Sequence, residues 1–125
     1  IELMANSDNV LRGGLTPKHI DIEELIQHVQ FVPTYPNILR GEVMNEFEVI
    51  YPCPVNDFGL TKITIMQGKT YTIKPTSLEM IFVTEGSVML DGLMLKAGEV
   101  CMLQVGAEVK IEAITASVLF KSFVP

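Results

Sequence analysis

The sequence has few of the residues that disulfide frameworks and metal centres require. Its 125 residues include two cysteines, Cys53 and Cys101, and two histidines, His19 and His28. Two cysteines without a short C-x-x-C spacing do not make a disulfide scaffold. No basic and then apolar leader opens the sequence, and disulfides are rare in the cytosol. We therefore expect a cytoplasmic protein with reduced thiols.

Basic residues and long apolar runs are scarce as well. Nine Lys and Arg against 15 Asp and Glu give a formal net charge of −6. This balance argues against nucleic acid or a membrane surface as a partner, although a local pair of cations could hold one anionic metabolite. The longest apolar runs have four residues, such as residues 80–83, whereas a membrane-spanning helix needs about 18. With 48% hydrophobic residues, the chain can still bury a core, which excludes intrinsic disorder.

From Phe58 onward, apolar and polar residues alternate with a period of two. In residues 109–113, Val109, Ile111 and Ala113 are the apolar members, which predicts a strand with one buried and one exposed face. Asp91-Gly92 between two apolar segments indicates a two-residue hairpin. Short strands separated by turns at intervals of about eight to twelve residues predict a β-sandwich or a small barrel. Further turns are predicted at Gly68, Gly86, Gly98 and Gly106.

One helix is predicted, over residues 21–30. Asp21 is placed to cap the first turn, and Glu24, three residues later, completes a capping box. The apolar residues at helical spacing form one stripe, called the helix stripe below: Ile22, Leu25, Ile26 and Val29. We expect the helix stripe to pack into a core rather than against a partner helix.

The segment between the helix and the predicted strands is rich in proline. Residues 32–58 hold four of the seven prolines of the chain. Because proline lacks the amide donor of a sheet ladder, we expect an extended connector with edge-strand pairing at most.

The two histidines do not suggest a metal site. A catalytic metal needs about three His or carboxylate ligands that converge on one point. On a single helix, nine steps of 100° would place His19 and His28 on opposite sides. We expect both at the surface and no metal site in this chain. A Cys–His nucleophile pair also lacks local support.

Residues 2–18 are dense in functional side chains, with two carboxylates, two amides, an arginine and a lysine. A guanidinium suits phosphate, carboxylate or a developing oxyanion, and lysine adds a point charge. A loop beside a sheet is a common place for a functional site. The alternative is a solvated loop whose Asn and Asp side chains bond to the local backbone. The spacing alone leaves both interpretations open.

Residues 4–18, Met-Ala-Asn-Ser-Asp-Asn-Val-Leu-Arg-Gly-Gly-Leu-Thr-Pro-Lys, closely resemble the signature near the end of the catalytic domain in type I mannose-6-phosphate isomerases. Residues 20–25 resemble the helix that follows this signature, and residues 54–58 resemble the entry to the family's C-terminal domain. The segments 83–86 and 95–99 resemble turns of a cupin barrel.

The resemblance implies an all-β fold, namely a cupin-like jelly-roll barrel preceded by a strand-loop-helix remnant of the catalytic domain. It assigns residues 1–30 to the C-terminal end of the catalytic domain and residues 31–57 to an extended, proline-containing connector. Residues 58–125 are expected to form a metal-free cupin-like β-barrel.

The resemblance also implies an activity and a set of site residues. Such isomerases interconvert mannose 6-phosphate and fructose 6-phosphate by proton transfer between C1 and C2 through an enediol, with zinc as cofactor. Arg12 matches the arginine proposed as catalytic in the family. Asp8 and Lys18 match polar residues of the substrate pocket, and Glu2 occupies the position of a pocket glutamate. The match assigns no general base.

The family's zinc ligands, a Gln, a Glu and two His, come from segments upstream of the signature, and this sequence does not contain those segments. The start at Ile1 rather than at Met favours a piece of a longer chain. We expect zinc and a sugar-phosphate substrate in the parent protein, no zinc bound by this chain alone, and no activity from it alone. The alternative is a stand-alone cupin module that binds a sugar phosphate or a protein partner without chemistry. A homodimer through an exposed helix stripe is left open.

Overall fold

Ten strands and one short helix form the described part of the chain. The computed structural model describes residues 3–6 and 10–125, which divide into two units. The larger unit contains Leu3 and residues 39–125, and the smaller contains residues 4–38. Within the described residues, no helix is long and apolar enough to cross a membrane.

The strands of the larger unit form two antiparallel sheets. The six-stranded sheet has the order β1-β2-β3-β10-β5-β8, and the four-stranded sheet has the order β4-β9-β6-β7. This arrangement confirms the predicted cupin-like jelly-roll barrel. The strands are β1 (Glu42–Val43), β2 (Glu48–Tyr51), β3 (Gly59–Ile65), β4 (Thr70–Ile73), β5 (Glu79–Glu85), β6 (Ser87–Leu90), β7 (Leu93–Lys96), β8 (Val100–Leu103), β9 (Val109–Ala113) and β10 (Ser117–Phe123).

The core lies between the inner faces of the two sheets. On β9, Val109, Ile111 and Ala113 are buried while Lys110 and Glu112 are exposed, so the predicted alternation is confirmed. Removal of this apolar surface from water, at about 25 cal/mol per Å², is the main term that stabilises the barrel. The buried apolar residues are Ile63, Ile65, Ile73, Ile81, Val83, Val88, Leu90, Leu95, Leu103, Val109, Ile111, Ala113 and Leu119.

The predicted hairpin is also confirmed. Asp91 and Gly92 join β6 to β7 with φ values of 43° and 89°, and left-handed values at both positions are what a two-residue type I′ turn requires. Gly86 has φ 79°, and a Cβ there would lie 2.3 Å from the carbonyl oxygen of Ala116. Glycine is therefore required at position 86 both by conformation and by space.

The helix α1 (Ile22–His28) lies in the smaller unit, and its predicted cap is confirmed. The Asp21 carboxylate accepts a 3.0 Å hydrogen bond from the amide of Glu24. The prediction that the helix stripe packs into a core is wrong for this chain. None of the residues of α1 is buried, and Ile22 and Ile26 are 62% and 57% exposed. Other large apolar residues of its unit, such as Leu15, Phe31 and Ile38, are exposed as well and do not cover it.

The proline-rich segment contains more sheet structure than expected. β2 lies within it and pairs on one side with β1 and on the other with β3, with Val49 opposite Lys62. The expectation of edge pairing at most is therefore wrong for β2, because the prolines flank this strand and leave its amides free to donate. The boundaries of the three predicted segments stay predictions.

The opening residues were expected to be strand-like. Leu3 and Met4 lie outside any strand, and Ile1 and Glu2 lie outside the described residues. The loop and the helix of the expected strand-loop-helix segment are present in the smaller unit.

Candidate functional site

Arg12 is the predicted catalytic residue, and it lies in the loop that precedes α1. Its side chain is half-buried, and Nη1 donates a 3.4 Å hydrogen bond to the carbonyl oxygen of Val10. This contact is local and at the long end of hydrogen-bond geometry, and within residues 3–6 and 10–125 the guanidinium makes no other hydrogen bond.

Lys18 lies near the end of the same loop. Its backbone amide donates a 3.2 Å hydrogen bond to Oγ1 of Thr16, which forms a local turn, and its side chain is exposed. The other two predicted pocket residues, Glu2 and Asp8, lie outside the described residues. The structure therefore places Arg12 and Lys18 in one segment, and the four-residue site stays a prediction.

Gly13 follows Arg12 and lies close to the helix. A Cβ at this position would lie 3.4 Å from Cδ2 of Leu25, an ordinary close contact. The loop that carries Arg12 therefore passes close to α1 at Leu25, the least exposed member of the helix stripe.

No group of three His, Cys, Asp or Glu side chains within residues 3–6 and 10–125 could hold a metal ion. His19 is exposed and precedes α1, and His28 is exposed in its last turn, 2.8 Å from Oε1 of Glu24. Cys53 and Cys101 are half-buried free thiols. The side chains of residues 3–6 and 10–125 therefore do not fit a zinc site by themselves.

A second cluster of polar side chains lies at one end of the barrel interior, and we call it the buried polar network. It is built on four neighbouring strands of the large sheet and on one strand of the small sheet. Its members are Glu48 on β2, Thr61 on β3, Lys121 on β10, Glu79 on β5 and Tyr71 on β4.

Glu48 is the centre of the network and is 3% exposed. Its Oε1 accepts a 2.6 Å hydrogen bond from the hydroxyl of Thr61 and lies 3.0 Å from Nζ of Lys121. Its Oε2 accepts a 2.5 Å hydrogen bond from the hydroxyl of Tyr71. Burial by itself would raise the pKa of Glu48, but the three donors outweigh it and hold that pKa below its ordinary value.

The pKa of Tyr71 is shifted in the opposite direction, above its ordinary value. Partial burial, together with its hydrogen bond to the Glu48 carboxylate, raises the pKa of Tyr71 to about 12. The side-chain amide of Asn45 donates a 3.1 Å hydrogen bond to the same hydroxyl, and the Phe47 ring packs at 5.0 Å between centroids. The phenol therefore stays protonated and connects the two sheets.

Glu79 completes the network. It is 4% exposed, and its Oε2 lies 3.5 Å from Nζ of Lys121 without making a hydrogen bond. Lys121 thus lies between two buried carboxylates, and the ion pair with Glu48 is the closer of the two. The two ion pairs link β10 to β2 and to β5 inside the barrel.

The sequence reasoning missed the buried polar network. One signal was available, because Lys121 follows Ser117 and Leu119 at intervals of two on β10, so its side chain faces the same interior side of the strand. A charged residue at an inward position calls for a buried partner. The partners are separated from it by tens of residues in the sequence, so no local pattern identifies them.

Comparison with curated proteins connects the chain to one enzyme. It is 42% identical over 104 residues to mannose-6-phosphate isomerase of Escherichia coli, which covers 79% of this chain and 26% of that protein. It is 30% identical over 117 residues to mannose-6-phosphate isomerase 2 of Arabidopsis thaliana, covering 89% of this chain and 26% of that protein. No family model matches the chain. The chain thus spans about a quarter of the length of these relatives.

Solved structures agree with this comparison. A mutant of phosphomannose isomerase from Salmonella typhimurium superposes with a TM-score of 0.81 at 35% identity, covering 97% of this chain and 32% of that one. The same enzyme bound to fructose 6-phosphate and zinc superposes with a TM-score of 0.79 at 35% identity and the same coverage. The chain belongs to the mannose-6-phosphate isomerase family and corresponds to a C-terminal portion of such an enzyme.

Proposed function

We propose that this chain is part of a zinc-dependent aldose–ketose isomerase that interconverts mannose 6-phosphate and fructose 6-phosphate. The observation that carries the proposal is its superposition, over 97% of its length, on a relative bound to fructose 6-phosphate and zinc. The proposal assigns this chain one wall of the sugar-phosphate pocket, formed by the loop that carries Arg12 and Lys18.

In this proposal Arg12 stabilises negative charge on the substrate. Proton transfer between C1 and C2 passes through an enediol, so negative charge develops on the substrate oxygens. A half-buried guanidinium whose donors are largely unused within the described residues suits that charge better than a fully solvated one, because partial removal from water strengthens the interaction. Glu2, Asp8 and Lys18 are assigned to substrate binding in the same pocket.

Zinc is assigned to the parent protein and not to this chain. Within residues 3–6 and 10–125 no three suitable side chains converge, so this part of the chain does not supply a complete set of metal ligands. The chain alone is accordingly expected to be inactive. A cytoplasmic location, which the scarcity of cysteine favours, belongs to the same proposal.

The first test is an isomerase assay on the purified polypeptide, with zinc titrated in the same samples. We expect no turnover and no stoichiometric zinc. Turnover with one bound zinc per chain would contradict the proposal that the metal ligands lie elsewhere. Saturable binding of fructose 6-phosphate by the isolated chain, without turnover, would favour the stand-alone cupin module instead.

The second test concerns the assignment to an isomerase. A chimera in which this chain replaces the matching segment of the Escherichia coli enzyme is expected to retain mannose-6-phosphate isomerase activity. A chimera that folds and binds zinc but does not turn over the substrate would overturn the assignment. The unmodified Escherichia coli enzyme is the matched control.

A further inference from the structure

The two sheets of the barrel present different outer faces to the surroundings. The outer side of the four-stranded sheet is mixed, because Thr72 is paired with Lys110 and Thr70 with Glu112, while Met89 and Met94 form one apolar pair. On the outer side of the six-stranded sheet, beside the polar residues Lys62, Thr64 and Ser122, lies a connected apolar patch, which we call the apolar face. It is formed by Leu60, Met80, Phe82, Val100, Met102 and Phe120.

The apolar face is continuous across four strands. Phe82 on β5 lies opposite Phe120 on β10 and Val100 on β8, and Met80 lies opposite Met102. Tyr51 on β2 extends the face by stacking on Phe120 at 6.4 Å between centroids. An antiparallel sheet with one solvated side normally carries polar residues there, so a connected apolar patch marks a surface that another element covers.

The exposure of individual side chains supports the same conclusion. Met80, Val100 and Met102 are 48%, 56% and 58% exposed. Met80 is paired with Met102 and Phe82 with Val100 across the strands, while Ser122 lies on the other side of Met80. Single exposed apolar residues are common in soluble proteins, whereas a connected group of this kind is typical of an interface.

The position of Leu3 indicates what covers the apolar face. Leu3 lines two shallow grooves on this side of the large sheet, one with Leu60 and Phe120 and one with Tyr51 and Phe58. The polypeptide at the beginning of the described residues therefore already lies on the apolar face. The relatives of this chain are about three to four times as long as the part that it matches, which is 26% of one and 32% of the other.

We propose that the apolar face is the docking surface for the preceding part of the same polypeptide, the part that relatives have and this chain lacks. The inference rests on the proposal that the chain belongs to a longer isomerase, and it adds the surface through which the barrel attaches. The chain would enter that surface at Leu3 and cover Met80, Val100 and Met102.

The test uses methionine oxidation, because the chain carries its own probes and controls. Met80 and Met102 lie on the apolar face, Met94 lies on the outer side of the small sheet and is 40% exposed, and Met66 lies in a turn and is 65% exposed. Oxidation by dilute peroxide is followed by mass spectrometry in this 125-residue chain and in the full-length polypeptide that contains it.

We expect all four methionines to be oxidised readily in the 125-residue chain. In the full-length polypeptide, oxidation of Met80 and Met102 should slow by about tenfold or more, because susceptibility follows exposure, while Met94 and Met66 should be unchanged. Equal rates in both polypeptides at every position would overturn the proposal. Protection that appears in the isolated chain and grows with its concentration would identify a second copy as the occupant and would overturn it too.

A second measurement uses substitution instead of labelling. Met80→Glu is expected to lower the thermal midpoint of the full-length polypeptide by about 5 °C or more and to change that of the isolated chain by less than about 3 °C. Met94→Glu is the matched control and should have the same small effect in both. A Met80→Glu shift of equal size in both polypeptides would contradict a covered face.

These readouts do not depend on catalysis. Protection of Met80 and Met102 in a full-length protein without isomerase activity would support the docking surface while overturning the proposed function. An active enzyme in which Met80 and Met102 are not protected would support the proposed function and overturn the docking surface.

Discussion

Lys121 shows how much a single residue can contribute when it is the only cation beside two buried carboxylates in the described barrel. Its Nζ lies 3.0 Å from Glu48 and 3.5 Å from Glu79, and its side chain is 13% exposed. Taking three charged groups out of water is costly, and each is tolerated because the others are present. Arg12 is the opposite case at the same scale, since its donors are largely unused within the described residues.

Removing the Lys121 ammonium should destabilise the barrel strongly. Lys121→Met leaves Glu48 and Glu79 as buried carboxylates without a cation, and loss of one partner from a buried pair costs about 3–5 kcal/mol. Urea unfolding of the 125-residue chain measures the loss. Lys62→Met, on the outer side of neighbouring β3, should stay within about 0.5 kcal/mol of wild type. Equal effects of the two substitutions would show that the network contributes no specific stability.

The raised pKa of Tyr71 predicts a loss of stability at alkaline pH. The phenol has an ordinary pKa of 10.0 when the chain is unfolded and about 12 in the fold. The unfolded state therefore releases this proton first, so the stabilisation is complete below pH 10 and is lost as pH rises toward 12. Tyr71→Phe should remove this part of the pH dependence of unfolding. Tyr35→Phe, at a fully exposed tyrosine, should keep the wild-type slope.

Arg12→Ala should impair catalysis in the full-length enzyme. Loss of one charge-stabilising donor costs about 2–4 kcal/mol, which corresponds to a roughly 30- to 900-fold lower kcat/KM. Arg40→Ala, at an exposed arginine of the other unit, is the control and should leave kcat/KM unchanged. An Arg12→Ala enzyme within twofold of wild type would contradict the catalytic role.

At the scale of elements, turns decide how the strands of the barrel are joined. Gly86, between β5 and β6, lies against the chain at Ala116 and Ser117, where β10 begins. Gly98, between β7 and β8, has a similar positive φ of 92° but has nothing within 4 Å of an added Cβ. Gly98 is therefore required only by its backbone conformation, whereas Gly86 is required both by its conformation and by the lack of space for a Cβ.

Alanine at these two positions should have different costs. Gly98→Ala carries only the left-handed backbone penalty of about 1–2 kcal/mol. Gly86→Ala adds a clash with backbone atoms and should cost about 1–3 kcal/mol more. Thermal unfolding of both variants in parallel gives the difference. A Gly86→Ala variant as stable as Gly98→Ala would mean that β10 moves away without loss.

At the scale of the whole molecule, the core belongs to one unit alone. Within the described residues, the thirteen members of the buried hydrophobic core lie between Ile63 and Leu119, in the larger unit. The smaller unit has a capped helix whose stripe remains exposed. The stability of the chain should therefore come from the barrel.

A polypeptide of residues 39–125 should consequently fold alone. Its thermal midpoint is expected within about 4 °C of that of the 125-residue chain, because no core residue is removed. Differential scanning calorimetry of the two polypeptides checks this. A truncated chain without a cooperative transition would show that the removed residues, 1–38, are needed for the barrel to fold.

Local structure and the resemblance to the family could both be predicted from the sequence alone. Period-two alternation in β9, the Asp91-Gly92 turn and the Asp21 cap are short-range features, and their physical causes lie within a few residues. The signature around Arg12 is likewise one continuous segment. Such features can be predicted because neighbouring residues and backbone geometry specify them.

The side-chain contacts between strands, in contrast, depend on the tertiary fold. Glu48 reaches Tyr71 and Lys121 because sheet pairing brings distant segments together, and no periodicity encodes those contacts. The exposed helix stripe and the apolar face were also beyond local reasoning. An apolar pattern indicates a surface that is more stable when it is removed from water. Whether another part of the same chain covers that surface depends on the rest of the fold.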